Sequence, residues 1–237
     1  MEIIQKPAAP GNYGAPRSLS VIRYIVLHYT GNDGDSAPNN GAYFARNERQ
    51  TSAHYFVDSN TVVQSVPDDR IAWHCGAKQY RHPEARNANS IGVELCDDRR
   101  DGTVYPTQAT IDRALELVRR LMGKYGIPAD RVIRHYDVSG KLCPAYWCGT
   151  AEKDALWRSA FWDRLTKEEE TMETRYDTLD AIERAAPWAL DTLKKLMDKG
   201  CIRGDGTALD LSRDMLRLLV ICDRAGCYSE SPSCLRT

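Results

Sequence analysis

The sequence predicts an α/β fold: one mixed central β-sheet flanked by helices, followed by a small, mainly helical C-terminal module. Three observations carry this. Short β-branched runs alternate with a long amphipathic helix, a hairpin pattern sits between them, and a polar charged stretch separates two apolar-patterned regions. The spacing places one domain over 1–165, a linker over 166–176 and the module over 177–237.

The first strand is RYIVLH (Arg23 to His28), a short apolar run with β-branched residues. TGNDGDSAPNNG then reads as a loop by composition and AYFARNERQ as a short helix. HYFVDSNTVVQSV is two strand-like runs around Asp58, Ser59 and Asn60, a hairpin. NSIGVELC, Asn89 to Cys96, is another strand, in which alternation puts Ile91, Val93 and Leu95 on one face and Gly92, Glu94 and Cys96 on the other. From Pro106 and Thr107 a helix carries Ile111, Leu115, Val118, Met122 and Tyr125 on one stripe, and Gly126 and Pro128 stop it. RVIRH is the last short strand, and a further helix runs from about Glu152 to Leu165.

TKEEETMETR is highly charged and free of large aliphatics, which makes it the linker. Beyond it, PWALDTLKKLMDKG has proline at a helix start and glycine at its end. LSRDMLRLLVICDRAG repeats the pattern, with Ser212 as the N-cap and Gly226 at the stop. A module this small has a marginal core, so it is expected to dimerise or to lean on the first domain.

Composition narrows the function classes. The 237 residues are 42% hydrophobic and 27% charged, with a net charge of -1, so no electrostatic case exists for nucleic acid as a partner. No apolar run approaches the roughly 20 residues of a membrane span. The start, MEIIQKPAAPGNYG, lacks the apolar core of a signal peptide, which predicts synthesis in the cytoplasm. Eight cysteines contain no C-x-x-C pair, arguing against a zinc ribbon or thioredoxin-like motif, and free thiols are the default in a reducing compartment. Pairing among Cys75, Cys148, Cys227 and Cys234 stays open.

Of five histidines, His28 and His135 end predicted strands, where open sheets present ligand-binding residues. Cys143 follows His135 across RHYDVSGKLCP, a loop in which Gly140 lets the chain turn back. Two imidazoles and a thiolate make a three-ligand zinc set with one open position. Strand-end histidines are more often structural, however, and cysteine is often simply buried, so spacing alone leaves both readings open. Glu94, acidic in a central strand, is costly to bury unless paired or useful: a salt bridge or a general base. Lys141 sits two residues from the cysteine, where its charge could stabilise an oxyanion.

VLHYT, SAHYFVD, AWHCG, NSIGVEL and RHYDVSGKLCP, in that order, resemble zinc-dependent N-acetylmuramoyl-L-alanine amidases of type 2, found in phage and prophage endolysins and related to peptidoglycan recognition proteins. The resemblance covers roughly Arg23 to Gly149. It implies Zn2+ bound by His28, His135 and Cys143, with Glu94 as acid/base and Lys141 as oxyanion stabiliser. It implies a mixed sheet under a substrate groove, with Trp73 and His74 on the groove wall and Asn89 helping to shape it. Family members that place a catalytic tyrosine before the histidine matching His54 differ here, because that position is Ala53. His54 is expected to be structural or to support the site, and His82 to be a solvated loop residue.

The implied role is a peptidoglycan hydrolase for bacteriolytic cell-wall degradation, acting outside the cell after holin-dependent release. The competing readings are a non-catalytic peptidoglycan-recognition module and a thiol-dependent cell-wall hydrolase using Cys143 or Cys75. The C-terminal module loosely resembles wall-binding helical hairpins, and its expected role is either binding a cell-wall polymer or forming a homo-oligomer.

Overall fold

The computed structural model describes residues 1–46, 48–166, 175–204 and 208–228. The chain divides into two compact units, Met1–Lys167 and Glu168–Thr237. Of the expected linker 166–176, residues 167–174 lie outside the described residues, as does Cys234.

In the first unit, β1 (Ile4–Gln5) is followed by β2 (Tyr13–Pro16), β3 (Tyr24–Tyr29), α1 (Ala37–Arg46), β4 (Tyr55–Val57), β5 (Val62–Gln64), β6 (Arg70–Ala72) and β7 (Ser90–Leu95). Then come α2 (Gln108–Tyr125), β8 (Val132–Arg134), α3 (His135–Ser139), α4 (Ala151–Trp157) and α5 (Asp163–Thr166). Six strands form one sheet in the order β1-β5-β4-β7-β3-β8, while β2 and β6 pair separately. β4 and β5 are the antiparallel hairpin expected around Asp58 to Asn60, and β7, β3 and β8 run parallel. The sheet is therefore mixed, as the sequence predicts.

The alternation of the strands sorts the two faces. Ile25, Leu27, Tyr55, Val57, Ile91, Val93 and Leu95 face the apolar stripe of α2, where Ile111, Leu115 and Val118 are buried. α2 opens on Thr107, whose hydroxyl accepts from the Thr110 amide, and ends at Gly126. On the opposite face lie Val26, His28, Gly92 and Glu94, of which His28 and Glu94 belong to the site.

Beyond the short elements β1, β2, β6 and α3, which the sequence does not announce, two elements differ from expectation. α1 begins at Ala37, inside a stretch whose composition reads as loop. Its first amide is capped from the hairpin turn, the Ala37 N–H donating to Asp58 Oδ2 at 2.8 Å. The helix expected over 152–165 is interrupted by a π-helical turn, Arg158–Trp162. Trp157, Phe161 and Leu165 all enter the core, four residues apart. In an α-helix that spacing drifts by about 80° over eight residues, and the wider turn removes part of the drift.

The second unit comprises β9 (Arg175–Tyr176), α6 (Leu179–Ala185), α7 (Leu190–Asp198), β10 (Leu211–Ser212) and α8 (Arg213–Arg224). Its core holds Tyr176, Ile182, Leu193, Leu211, Leu216 and Val220. Ser212 caps α8 by accepting from the Met215 amide at 3.1 Å. Among the described residues the seven cysteines are free thiols, and no helix is long and apolar enough to cross a membrane.

Candidate active site

Strand register brings the first two residues together. His28 on β3 and Glu94 on β7 are paired in the parallel ladder, so their side chains leave the sheet side by side. β8 continues the row: Leu27 pairs with Arg134, and His135 follows at once as the first residue of α3. Gly140 then takes a left-handed conformation (φ 83°) that closes α3 and turns the chain, as expected. The Tyr136 amide donates to the Cys143 carbonyl at 3.0 Å, which brings Cys143 back over His135. Arg134 clamps the base of this loop, donating to both oxygens of Asp137, to Asp154 Oδ1 at 2.6 Å and to the Trp147 carbonyl.

The result is a tight, buried cluster. His28, His135 and Cys143 each offer one ligand atom, and these atoms lie within 4.8 Å of one another. Cys143 Sγ is 3.6 Å from His28 Nδ1, and Glu94 Oε1 is 3.9 Å from the same nitrogen. His135 Nδ1 and Glu94 Oε2 are buried with no hydrogen-bond partner among the described residues. Polar atoms in that state are costly without a partner.

Burial sets the charge states. It holds the His28 imidazole well below its ordinary pKa and His135 at about 4, so both present neutral nitrogens. It raises the Cys143 thiol and pushes Glu94 up to about 8, with Lys141 opposing and Asp97 and Asp35 adding to the rise. The cluster is therefore two neutral imidazoles, a thiol and a carboxylic acid, all short of positive charge. A divalent cation fits such a donor set, satisfying the orphaned nitrogen and drawing both acids into their ionised forms. Two nitrogens and one sulfur match zinc better than a hard cation such as magnesium.

His28, Glu94 and Cys143 line the floor of a cavity of about 770 Å³, and His135 is not among its lining residues. Lys141 and Leu142 line it from the loop, and Ala53 and Phe56 from β4 and the residues before it. His74 also lines it, buried, with Nδ1 3.0 Å from His28 Nε2. Trp73 does not line the cavity. Its carbonyl accepts from the Ser52 amide and Thr51 hydroxyl, so it supports wall residues rather than forming the wall. Asn89 stands at the other end of β7 from Glu94. Its side chain bonds the Arg86 amide and Glu84 carbonyl and shapes the turn entering the strand, so it does not reach the cavity. His54 is buried behind the site, accepting from the Gly92 amide at 2.9 Å. His82 accepts from the Glu84 and Ala85 amides, which organises its loop.

One wall escapes sequence reading. Asp35, Asn39, Asn40 and Tyr43 line the cavity from α1 and the residue run entering it. Once the helix start is known, Asn39, Asn40 and Tyr43 fall on one helical face, a spacing the loop-like composition hides.

The chain is similar to known proteins in both sequence and fold. The family model described as N-acetylmuramoyl-L-alanine amidase matches residues 18–146. A probable N-acetylmuramoyl-L-alanine amidase of Bacillus licheniformis is 38% identical over 156 residues, covering 62% of this chain and 42% of that protein. CwlL, an N-acetylmuramoyl-L-alanine amidase of Bacillus licheniformis, is 35% identical, covering 59% of this chain and 41% of that protein. The chain thus spans about two fifths of the length of these curated relatives. Among solved structures, PlyL superposes with a TM-score of 0.57 at 31% identity, covering 70% of this chain and 97% of that one. The catalytic domain of XlyA gives 0.55 at 27% identity, covering 68% and 97%.

Proposed function

Given that the chain belongs to the N-acetylmuramoyl-L-alanine amidase family, we propose that it hydrolyses the amide joining N-acetylmuramic acid to the L-alanine of the peptidoglycan stem peptide. The observation that carries this is the convergence of His28, His135, Cys143 and Glu94 on one buried point under a cavity of about 770 Å³. We read the metal as zinc, held by His28, His135 and the Cys143 thiolate. When bound there, zinc supplies Lewis acidity, acidifying water and polarising a carbonyl oxygen.

The chain's own groups do the rest. The Glu94 carboxylate takes a proton from the attacking water and returns it to the departing alanine amine. It stands against the His28 imidazole on the adjacent strand, so its distance from the reacting carbonyl is set by the sheet. The Lys141 ammonium, at the mouth of the cavity, faces the oxyanion that develops at the carbonyl. The Asn39, Asn40 and Tyr43 side chains offer hydrogen-bonding partners along the wall for sugar or peptide, while Phe56 and Leu142 exclude water from the floor and rim.

A thiol hydrolase fits less well. Burial raises the Cys143 thiol, the opposite of what a nucleophilic cysteine needs, and Cys75 is held up at about 11 outside the cavity. A non-catalytic recognition module has no need of a complete donor set beside a base.

We assign the second unit to wall attachment, as a module that binds an anionic cell-wall polymer. Lys and Arg nearly balance Asp and Glu across it, but Arg213, Arg217 and Arg224 gather on α8 around Trp188 in a concavity of about 370 Å³. Trp188 there is 39% exposed, which leaves its ring accessible to a ligand.

Digestion of purified peptidoglycan tests the main reading. New free N-terminal alanine, lost on chelation and restored by zinc, is the expected result. New reducing sugar ends, or activity that survives chelation, overturn it.

A further inference from the structure

Behind His28 runs a file of buried polar groups that the hydrolytic mechanism does not use. His28 Nε2 is 3.0 Å from His74 Nδ1, His74 Nε2 is 3.1 Å from Ser90 Oγ, and Ser90 Oγ is 2.7 Å from the Arg86 carbonyl. His28, His74 and Ser90 are all buried.

The direction of this chain is fixed at its far end. A carbonyl only accepts, so the Ser90 hydroxyl donates to Arg86 and its oxygen is left to accept. His74 therefore carries its proton on Nε2 and donates it to Ser90, which leaves His74 Nδ1 as a bare acceptor. His28 must then carry its proton on Nε2 and donate it to His74. That leaves a lone pair on His28 Nδ1, the nitrogen 3.6 Å from Cys143 Sγ and 3.9 Å from Glu94 Oε1.

The backbone around His74 is built to hold this arrangement. Asn87 Oδ1 accepts from the His74 and Cys75 amides at 3.2 and 2.8 Å, tying the segment to the turn that enters β7. The imidazole then lies across β7 at Gly92, where a Cβ would stand 2.6 Å from His74 Cγ. Only glycine leaves the ring its place.

We propose that His74 and Ser90 are positioning residues: a one-way hydrogen-bond relay, ended by the Arg86 carbonyl, that holds His28 in its Nε2-protonated tautomer and presents Nδ1 to the metal. This rests on the reading of His28 as a metal ligand. Loss of such supporting partners typically costs 10–100-fold in metal affinity.

The test uses the full chain labelled with nitrogen-15, with imidazole nitrogen shifts recorded metal-free and zinc affinity measured by chelator competition. In the wild type, His28 and His74 should both be protonated on Nε2. His74→Ala should weaken zinc binding by about 10–100-fold and release His28 into a mixture of tautomers. His74→Gln restores most of the affinity, because its amide oxygen accepts from His28 while its NH2 donates to Ser90. Ser90→Ala, which changes little volume, should produce a smaller loss of the same kind, and it decides the matter should His74→Ala fail to fold. His28 protonated on Nδ1 in the wild type, or folded His74→Ala or Ser90→Ala proteins with unchanged tautomer and affinity, would overturn the relay. A wild type that binds no zinc yet shows both Nε2 tautomers upholds the relay and removes only the metal assignment.

Discussion

Glu94→Gln separates the base from the metal site around it. The substitution keeps the shape and removes the ionisable group, so activity should fall by about 10²–10⁴-fold, the usual contribution of a positioned general base. Zinc should still bind, because the donors are His28, His135 and Cys143. The pH dependence of that binding should change by a calculable amount. In the metal-free protein His28 and His135 are neutral and have no proton to release near pH 7. The Cys143 thiol, raised by burial, gives up one proton on ligation. Glu94, held at about 8, retains about 0.9 of a proton at pH 7 and surrenders it when a cation arrives beside it. Between pH 6 and 7 the wild-type affinity should therefore climb by roughly tenfold more than that of Glu94→Gln, the difference being one proton. Chelator competition across that range, or calorimetry in buffers of different ionisation enthalpy, measures it. Equal pH slopes for the two proteins would show that Glu94 holds no proton for the cation to displace, and a variant that digests wall at more than about a tenth of the wild-type rate would refute the assignment of Glu94 as base.

Three further outcomes are expected. Cys143→Ser should lose zinc by more than the 10–100-fold typical of a supporting residue, since it removes a donor outright; metal analysis after gel filtration reads this. Lys141→Met should lower kcat by about 10²–10³-fold while zinc content stays at the wild-type level, and a matching loss of metal would show that the lysine acts on the site's assembly instead. Asp97 is buried two residues beyond the end of β7, and burial pushes its carboxyl up to about 7. Its folded pKa lies above its unfolded value of about 3.9, so the stability it contributes is complete below that value and is lost as pH rises through about 7. Melting metal-free Asp97→Asn beside the wild type should show the variant gaining relative Tm from pH 4 to pH 8, whereas a constant gap would mean Asp97 does not titrate there.

Of the proposed ligands, His28 and His135 were legible because they sit at strand ends, Cys143 was legible only through the resemblance its loop carries, and β3, β7 and α2 announce themselves by period. What stayed hidden depends on contacts far apart in sequence. The start of α1 at Ala37 is set by Asp58, 21 residues away, whose carboxylate caps a first turn made of weak helix formers. The wall residues Asn39, Asn40 and Tyr43 vanish into the loop reading for the same reason. His74 reads as a wall residue, and it does line the cavity, but its support of His28 depends on Gly92 and Ser90 of β7 lying beneath it. Asn89 sits only five residues before Glu94, yet a strand carries it to the opposite end of the sheet. Proximity in sequence misleads when the intervening residues are extended.

The pairing of His28 with Glu94 across β3 and β7 has a consequence for how such a protein can change. His28 and Glu94, the proposed donor and base, are rungs of one ladder, so their separation is inherited from the sheet and not negotiated by surface segments. The segments that contribute cavity-lining residues, 30–43 and 141–142, are attached to that ladder from outside. They can be lengthened, exchanged with those of a relative or redesigned for a different wall chemistry without retuning the reaction centre. A graft of α1 and its leading loop should therefore transfer substrate preference while leaving proton transfer intact.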